Sequence, residues 1–130
     1  MGKRYLIDTN VVRKYLDEDL SEAGLELLDS ILDTVESRIS VITRIELLGF
    51  SPKREELVNF IIQFIEVSDE YDLSEPIIQK TIELRKSFKI KLPDAIIAAT
   101  ALCHDLILLS DNDSDFGKIP HLRYINPRKY

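Results

Sequence analysis

Four acidic side chains, Asp8, Glu46, Asp94 and Asp115, are the residues of this sequence best placed to do chemistry. Each stands beside a short apolar run. Asp8 follows Arg4-Tyr5-Leu6-Ile7, and Glu46 comes one helical turn after Arg38-Ile39-Ser40-Val41-Ile42. Asp94 opens the segment that leads to Leu106-Ile107-Leu108-Leu109, and Asp115 lies just beyond that run. If the runs are parallel strands, their ends share one sheet edge, where ligands of such sheets bind. Singly, each acid has a simpler role. Asp8 can begin a helix, Glu46 can close a capping box with Thr43, and Asp94 can complement a helix dipole. Gathered together they are costly, since two carboxylates about 5 Å apart repel by roughly 3 kcal/mol at an effective dielectric of 20. Protons or cations must offset that repulsion, and an all-oxygen set selects Mg²⁺ or Mn²⁺. A cation so held lowers the pKa of a bound water and orients it for in-line attack, so phosphodiester hydrolysis is the matching reaction. The single cysteine, Cys103, and the isolated His104 and His121 offer no zinc spacing.

The elements that must position these acids follow from periodicity. Asp8-Thr9-Asn10 supplies N-cap chemistry after the first run, before Val11, Val12 and Tyr15, so a strand is followed by a helix. Leu25, Leu28, Ile31, Leu32 and Val35 recur at spacings of three and four, which predicts an amphipathic helix over Glu22 to Val35. A second strand over Arg38 to Ile42 leads to a short helix opened by Thr43 and ended by Gly49 and Pro52. Glu55 to Ile62 reads as helix, Phe64 to Val67 as strand, and Ser68-Asp69-Glu70 as loop. A long helix spans Ser74 to Phe88 with Pro76 near its first turn, and another spans Asp94 to His104 behind Pro93. Its Ala95, Ala98, Ala99 and Ala101 allow a close neighbour, and Leu106 to Leu109 reads as the next strand. Strands alternating with helices predict an α/β domain with a mostly parallel sheet of four to five strands, covered on both faces.

Composition bounds the alternatives. A chain of 130 residues, 45% hydrophobic and 31% charged, reads as one globular domain over residues 1–130. No apolar run approaches the roughly 18 to 20 residues of a membrane span. The early charge at Asp8 does not suit a signal-peptide core, and one cysteine suits a reducing compartment, so a cytoplasmic protein is expected. The formal charge of −6 argues against holding nucleic acid by a broad basic surface. A local cationic patch or bound metal would be needed instead, for which Arg13, Arg44, Arg85, Lys89 and Lys91 are candidates.

The segments Leu6-Ile7-Asp8-Thr9-Asn10, Thr43-Arg44-Ile45-Glu46-Leu47, Leu92-Pro93-Asp94-Ala95-Ile96-Ile97-Ala98-Ala99-Thr100-Ala101 and Leu108-Leu109-Ser110-Asp111-Asn112-Asp113-Ser114-Asp115-Phe116 together resemble PIN domains in order and spacing. The likeness covers essentially the whole chain and is strongest to the VapC-type toxins of bacterial VapBC toxin–antitoxin pairs. The resemblance implies a three-layer α/β/α fold and a metal site of Asp8, Glu46, Asp94 and Asp115. Thr9, Asn10, Ser110 and Asn112 would support those ligands. It further implies Mg²⁺- or Mn²⁺-dependent cleavage of RNA, a homodimer, and inhibition by a cognate antitoxin. Asp111 and Asp113 depart from the usual pattern, so Asp113 or Asn112 competes with Asp115 for the fourth ligand position.

Other readings fit less well. Asp111-Asn112-Asp113-Ser114-Asp115 begins like an EF-hand calcium loop, but Phe116 and Leu122 stand where glycine and glutamate are required. Asp8-Thr9-Asn10 lacks the second acid usual in haloacid-dehalogenase-like phosphatases, and no glycine-rich nucleotide loop is present. The rival from another class is a catalytically silent PIN-like domain that binds RNA or protein; four complete acid positions count against it.

Overall fold

A computed structural model describes residues 2–49 and 54–130. Its elements run β1 (Tyr5–Ile7), α1 (Thr9–Leu16), α2 (Glu22–Asp33), β2 (Arg38–Ser40), α3 (Val41–Leu48), α4 (Glu55–Val67), β3 (Asp69–Tyr71), α5 (Glu75–Ser87), α6 (Leu92–His104), β4 (Ile107–Leu109), α7 (Asp113–Phe116) and β5 (Tyr124–Ile125). Two ladders form, β1-β4-β5 and β2-β3, and every pairing is parallel. β2 lies beside β1, so the ladders abut as one five-stranded layer.

The three layers follow from the two-residue period of the strands. Leu6 and Leu108 point to one side, into a core built with Ile77 and Leu84 of α5 and the buried face of α6. Their neighbours Ile7 and Leu109 point to the other, against Val11, Val12, Leu28, Ile31, Leu47, Ile61 and Phe64. Burial of each such leucine or isoleucine contributes on the order of 2 kcal/mol. The alanines of α6 are buried as anticipated; with no side chain beyond Cβ, they bring the helix close to the sheet and to α5.

Four expectations need correction. Phe64 to Val67 is not a strand but the last turn of α4; Ile61 and Phe64 share its buried face while Val67 is exposed. A four-residue apolar run fits either period, and here the helical one extends it. The third strand is Asp69–Tyr71, expected as loop, and it pairs on one side only, at the sheet edge, which explains its polar residues. The second strand stops at Ser40, whose hydroxyl accepts the Ile42 N–H and caps α3, so Thr43 lies inside the helix and forms no capping box with Glu46. Finally, α6 starts at Leu92, making Asp94 its third residue. Pro52 lies outside the described residues.

Candidate active site

Asp8 ends β1, and its backbone N–H continues the ladder by donating to the Leu109 carbonyl at 3.0 Å. As expected it caps α1, with Oδ1 accepting from the Thr9 N–H at 2.8 Å. Its other oxygen is not spent on the helix: Oδ2 accepts from the Ser110 hydroxyl at 2.8 Å, across from the end of β4. Ser110 accepts in turn from the Asn112 N–H at 3.1 Å. The Asp8 residue is 3% exposed. That burial lifts the Asp8 carboxyl to about 7, against the hydrogen bonds from Ser110 and Thr9 and with added repulsion from Asp94 and Glu46.

Glu46 is brought to the same place by α3. Thr9 Oγ1 lies 2.6 Å from Glu46 Oε1 and 3.1 Å from Thr43 Oγ1. An ionised carboxylate only accepts, so Thr9 donates to Glu46 and Thr43 donates to Thr9. Thr43 is thus a fully buried support for Glu46. Its likeness to the first residue of a capping box hid this role in the sequence.

Asp94, partly buried on the first turn of α6, is raised to about 6. Burial is the main cause, followed by the charge and hydrogen-bonding contact of Asp115 and the charge of Glu46, with Lys91 opposing. Three segments remote in sequence therefore bring Asp8, Glu46 and Asp94 into electrostatic range of one another, and a fourth brings Asp115 to Asp94. Among the described residues no three His, Cys, Asp or Glu side chains already form a metal-holding group. Asp8 and Glu46 rest instead on hydroxyl and amide donors, an arrangement that repulsion among bare carboxylates favours. The set still fits a hard divalent cation, since it is all oxygen and two of its members are destabilised as anions.

The acid-rich turn sorts itself. Asn112 caps α7: its Oδ1 accepts from Asp115 N at 3.3 Å, and its Nδ2 donates to Asp115 Oδ2 at 2.9 Å. Asp111 pairs with Arg128 at 3.8 Å. Asp113 is engaged by Tyr124 Oη at 3.0 Å, Asn126 Nδ2 at 3.1 Å and Lys129 Nζ at 2.8 Å. The Lys129 and Tyr124 bonds hold its carboxyl below the usual range. Asp115 is thus the acid of this turn that meets Asp94, and Asn112 serves it as a donor. Asn10, expected to support the acids, keeps a buried side-chain oxygen that accepts no hydrogen bond among the described residues.

A model of the PIN domain matches residues 5–122. The chain belongs to the PIN-domain family. Solved structures agree with that assignment. A toxin–antitoxin complex from Klebsiella pneumoniae is 28% identical, with 95% of this chain and 97% of that one covered at a TM-score of 0.71. VapBC-1 from nontypeable Haemophilus influenzae is 25% identical over 94% and 96%, at 0.72. DNA-bound VapBC from Salmonella typhimurium, at 22% identity over 95% and 98%, shares the fold with a TM-score of 0.75. Among curated proteins, none matches the sequence significantly.

In this PIN domain the candidate cations divide. Arg85, Lys89 and Lys91 line one groove of about 460 Å³ with Ile90, Lys118 and Asp115. Lys118, which was not among the sequence candidates, donates to the Lys89 carbonyl at 2.8 Å and lies 3.6 Å from Asp115 Oδ1. It stands alone in the sequence, three residues past Asp115, and only the i, i+3 spacing hinted at the pairing. Arg44 is turned to Glu70 at 2.5 Å, and Arg13 sits partly buried on α1; neither lines the groove.

Proposed function

We propose that this PIN domain, acting as a single domain, is the toxin of a type II toxin–antitoxin pair. In this reading it is an endoribonuclease that hydrolyses RNA with Mg²⁺ or Mn²⁺ held by Asp8, Glu46, Asp94 and Asp115. The observation that supports it is the electrostatic contact of Asp8, Glu46 and Asp94 with one another and of Asp94 with Asp115, which lines a cationic groove, on a chain of net charge −6. A bound divalent cation would supply a lowered water pKa and charge neutralisation at the phosphate. The protein's own part is positional. Thr9 N–H and Ser110 fix both oxygens of Asp8, the Thr43–Thr9 pair fixes Glu46, and Asn112 orients Asp115. Asp115, less buried than Asp8, lines the groove along which the phosphate backbone would arrive, and Asp94 meets it there. Likeness to proteins solved as toxin–antitoxin complexes supports a cognate antitoxin as inhibitor.

The deciding experiment is cleavage of RNA by the purified protein with Mg²⁺ or Mn²⁺, stopped by EDTA and by the co-expressed antitoxin. RNA bound without cleavage under both metals would instead leave the silent binding module. A cytoplasmic site of action follows from the substrate; among the described residues no helix is long and apolar enough to cross a membrane.

The groove makes a separate prediction. For single-stranded nucleic acid, every phosphate that a protein ceases to neutralise flattens the log–log salt dependence of binding by about 0.7. Lys89→Ala is therefore expected to raise KM several-fold and reduce the slope of RNA binding by about that amount. An unchanged slope in oligonucleotide titrations would remove the groove from the RNA path.

The homodimer has a surface to use. Ile45 and Leu48, 62% and 54% exposed, lie three residues apart on one face of α3, the helix that bears Glu46. Two copies meeting there would bury apolar surface next to both sites. Ile45→Asp is expected to give a folded monomer by light scattering; an unchanged mass would place any dimer contact elsewhere.

A further inference from the structure

Asp113 and the segment from Asn126 to Tyr130 form a brace that the proposed chemistry does not use. The Asp113 carboxylate accepts from three donors that follow it in the chain: Tyr124 of β5, Asn126 and Lys129. That segment is anchored in its own right. Ser21 donates to the Pro127 carbonyl through both its N–H and its hydroxyl, at 3.0 Å each. Gly24 of α2 packs so closely on that carbonyl that a Cβ there would lie 1.9 Å from it. Arg128 bridges Asp19 at 3.0 Å and Asp111 at 3.8 Å. On the other side, Ser110 N donates to the Ile125 carbonyl at 3.1 Å. The turn from Ser110 to Asp115 thus leaves β4 tied to β5 at its start and to the anchored segment at Asp111 and Asp113.

We propose that Asp113 is a positioning residue. By joining α7 to the anchored segment, it keeps Asp115 facing Asp94, and Lys129 acts on the metal site through it. The four-residue helix α7 is too short to hold its orientation by its own hydrogen bonds, and its one buried side chain is Phe116. This inference rests on Asp115 being a metal-holding acid. It also distinguishes Asp113 from a ligand, because the two roles give opposite responses at Lys129.

The test is Mn²⁺ titration of the metal-free full chain, followed by calorimetry, together with hydrogen exchange of the α7 amides. Partners that orient metal ligands typically contribute about 10–100-fold in affinity. Asp113→Ala is expected to weaken Mn²⁺ binding about ten-fold. Lys129→Met, at a 73% exposed side chain where misfolding is not a concern, should weaken it about two- to five-fold. Exchange at the Asp115, Phe116 and Gly117 amides should accelerate several-fold in both variants, while α1 stays protected. Mn²⁺ binding tightened by Lys129→Met would show Asp113 to be a ligand released from its pair, and would overturn the proposal. So would unchanged exchange in α7. A parent protein that binds no Mn²⁺ would sink the metal reading alone, because faster α7 exchange in metal-free Lys129→Met supports the brace without it.

Discussion

Asp94→Asn is expected to abolish RNA cleavage while leaving the metal-free protein as stable as the parent or more so. The loss in kcat should exceed the roughly 10–100-fold that outer partners of metal ligands cost, because the substitution removes a charged donor itself. Asparagine keeps the shape of the side chain, and α6 keeps its first-turn geometry. The helix loses a favourable anion at its third residue, worth about 0.3–1 kcal/mol. Against this, the variant relieves the burial of an anion and its repulsion by Asp115 and Glu46, the effects that raise Asp94 to about 6. Rates measured at saturating Mn²⁺ alongside melting temperatures without metal separate the two outcomes. Cleavage that survives the substitution would remove Asp94 from the chemistry. A melting temperature several degrees lower would make its helix-terminal role the dominant one.

The second large effect is a dependence of stability on pH that runs opposite to ordinary acid denaturation. The Asp8 carboxyl sits at about 7 in the folded protein, against 3.8 for an unperturbed aspartate. Between those values the folded state binds the proton that the unfolded state has lost, so unfolding free energy falls as pH rises. The destabilisation is absent below the unfolded value and complete above about pH 7. A rise of that size in a residue only 3% exposed corresponds to about 4 kcal/mol at most. Asp94 adds to it in the same direction, at a partly exposed position. Metal-free protein is therefore expected to melt at higher temperature near pH 5.5 than near pH 8. Saturating Mn²⁺ should raise the melting temperature at the higher pH most, since a cation takes the place of the missing protons. Asp8→Asn should flatten the pH profile. Calorimetric scans between about pH 5 and 8, with and without Mn²⁺, check all three; a metal-free protein most stable at the alkaline end would contradict the burial of Asp8 as an anion.

Much of the scaffold was legible because it rests on strong local signals. The run Leu6-Ile7 before Asp8-Thr9-Asn10, the spacing of Leu28 and Ile31, and the alanines of α6 each point to one element, and those elements form. What failed was local ambiguity resolved by tertiary context. Phe64 to Val67 has strand-like residues, yet Phe64 falls one helical turn from Ile61, and the pair packs as the buried face of α4. Asp69–Tyr71 reads as loop because an edge strand has no apolar obligation on its open side. Tyr124–Ile125 is too short to signal itself and exists by pairing with β4.

The site divided along the same line. Asp8, Glu46 and Asp94 stood out as candidates because each lies at the end of a recognisable strand, one helical turn beyond it, or at the start of a recognisable helix. Asp115 was the first choice for the fourth acid but could not be separated from Asp113 and Asn112, because one turn carries all three together with Asp111. Their partners, Arg128, Lys129 and Lys118, lie as far as 17 residues away or hold no motif. Thr43 was visible but assigned to a local bond, when its partner is Thr9 on another helix.

The pairing of β1 with β4 joins Tyr5 to Ile107 and Ile7 to Leu109, residues made early and late in the synthesis of this domain. Strand pairing at that separation belongs to late events in folding, since the intervening loop must close before any contact rewards it. A growing polypeptide that has reached the middle of α6 holds Asp8, Glu46 and Asp94 but has no β4 to align them, no Ser110 and no α7. The acid cluster is therefore a property of the whole domain, and an interrupted translation product carries the acids without their alignment.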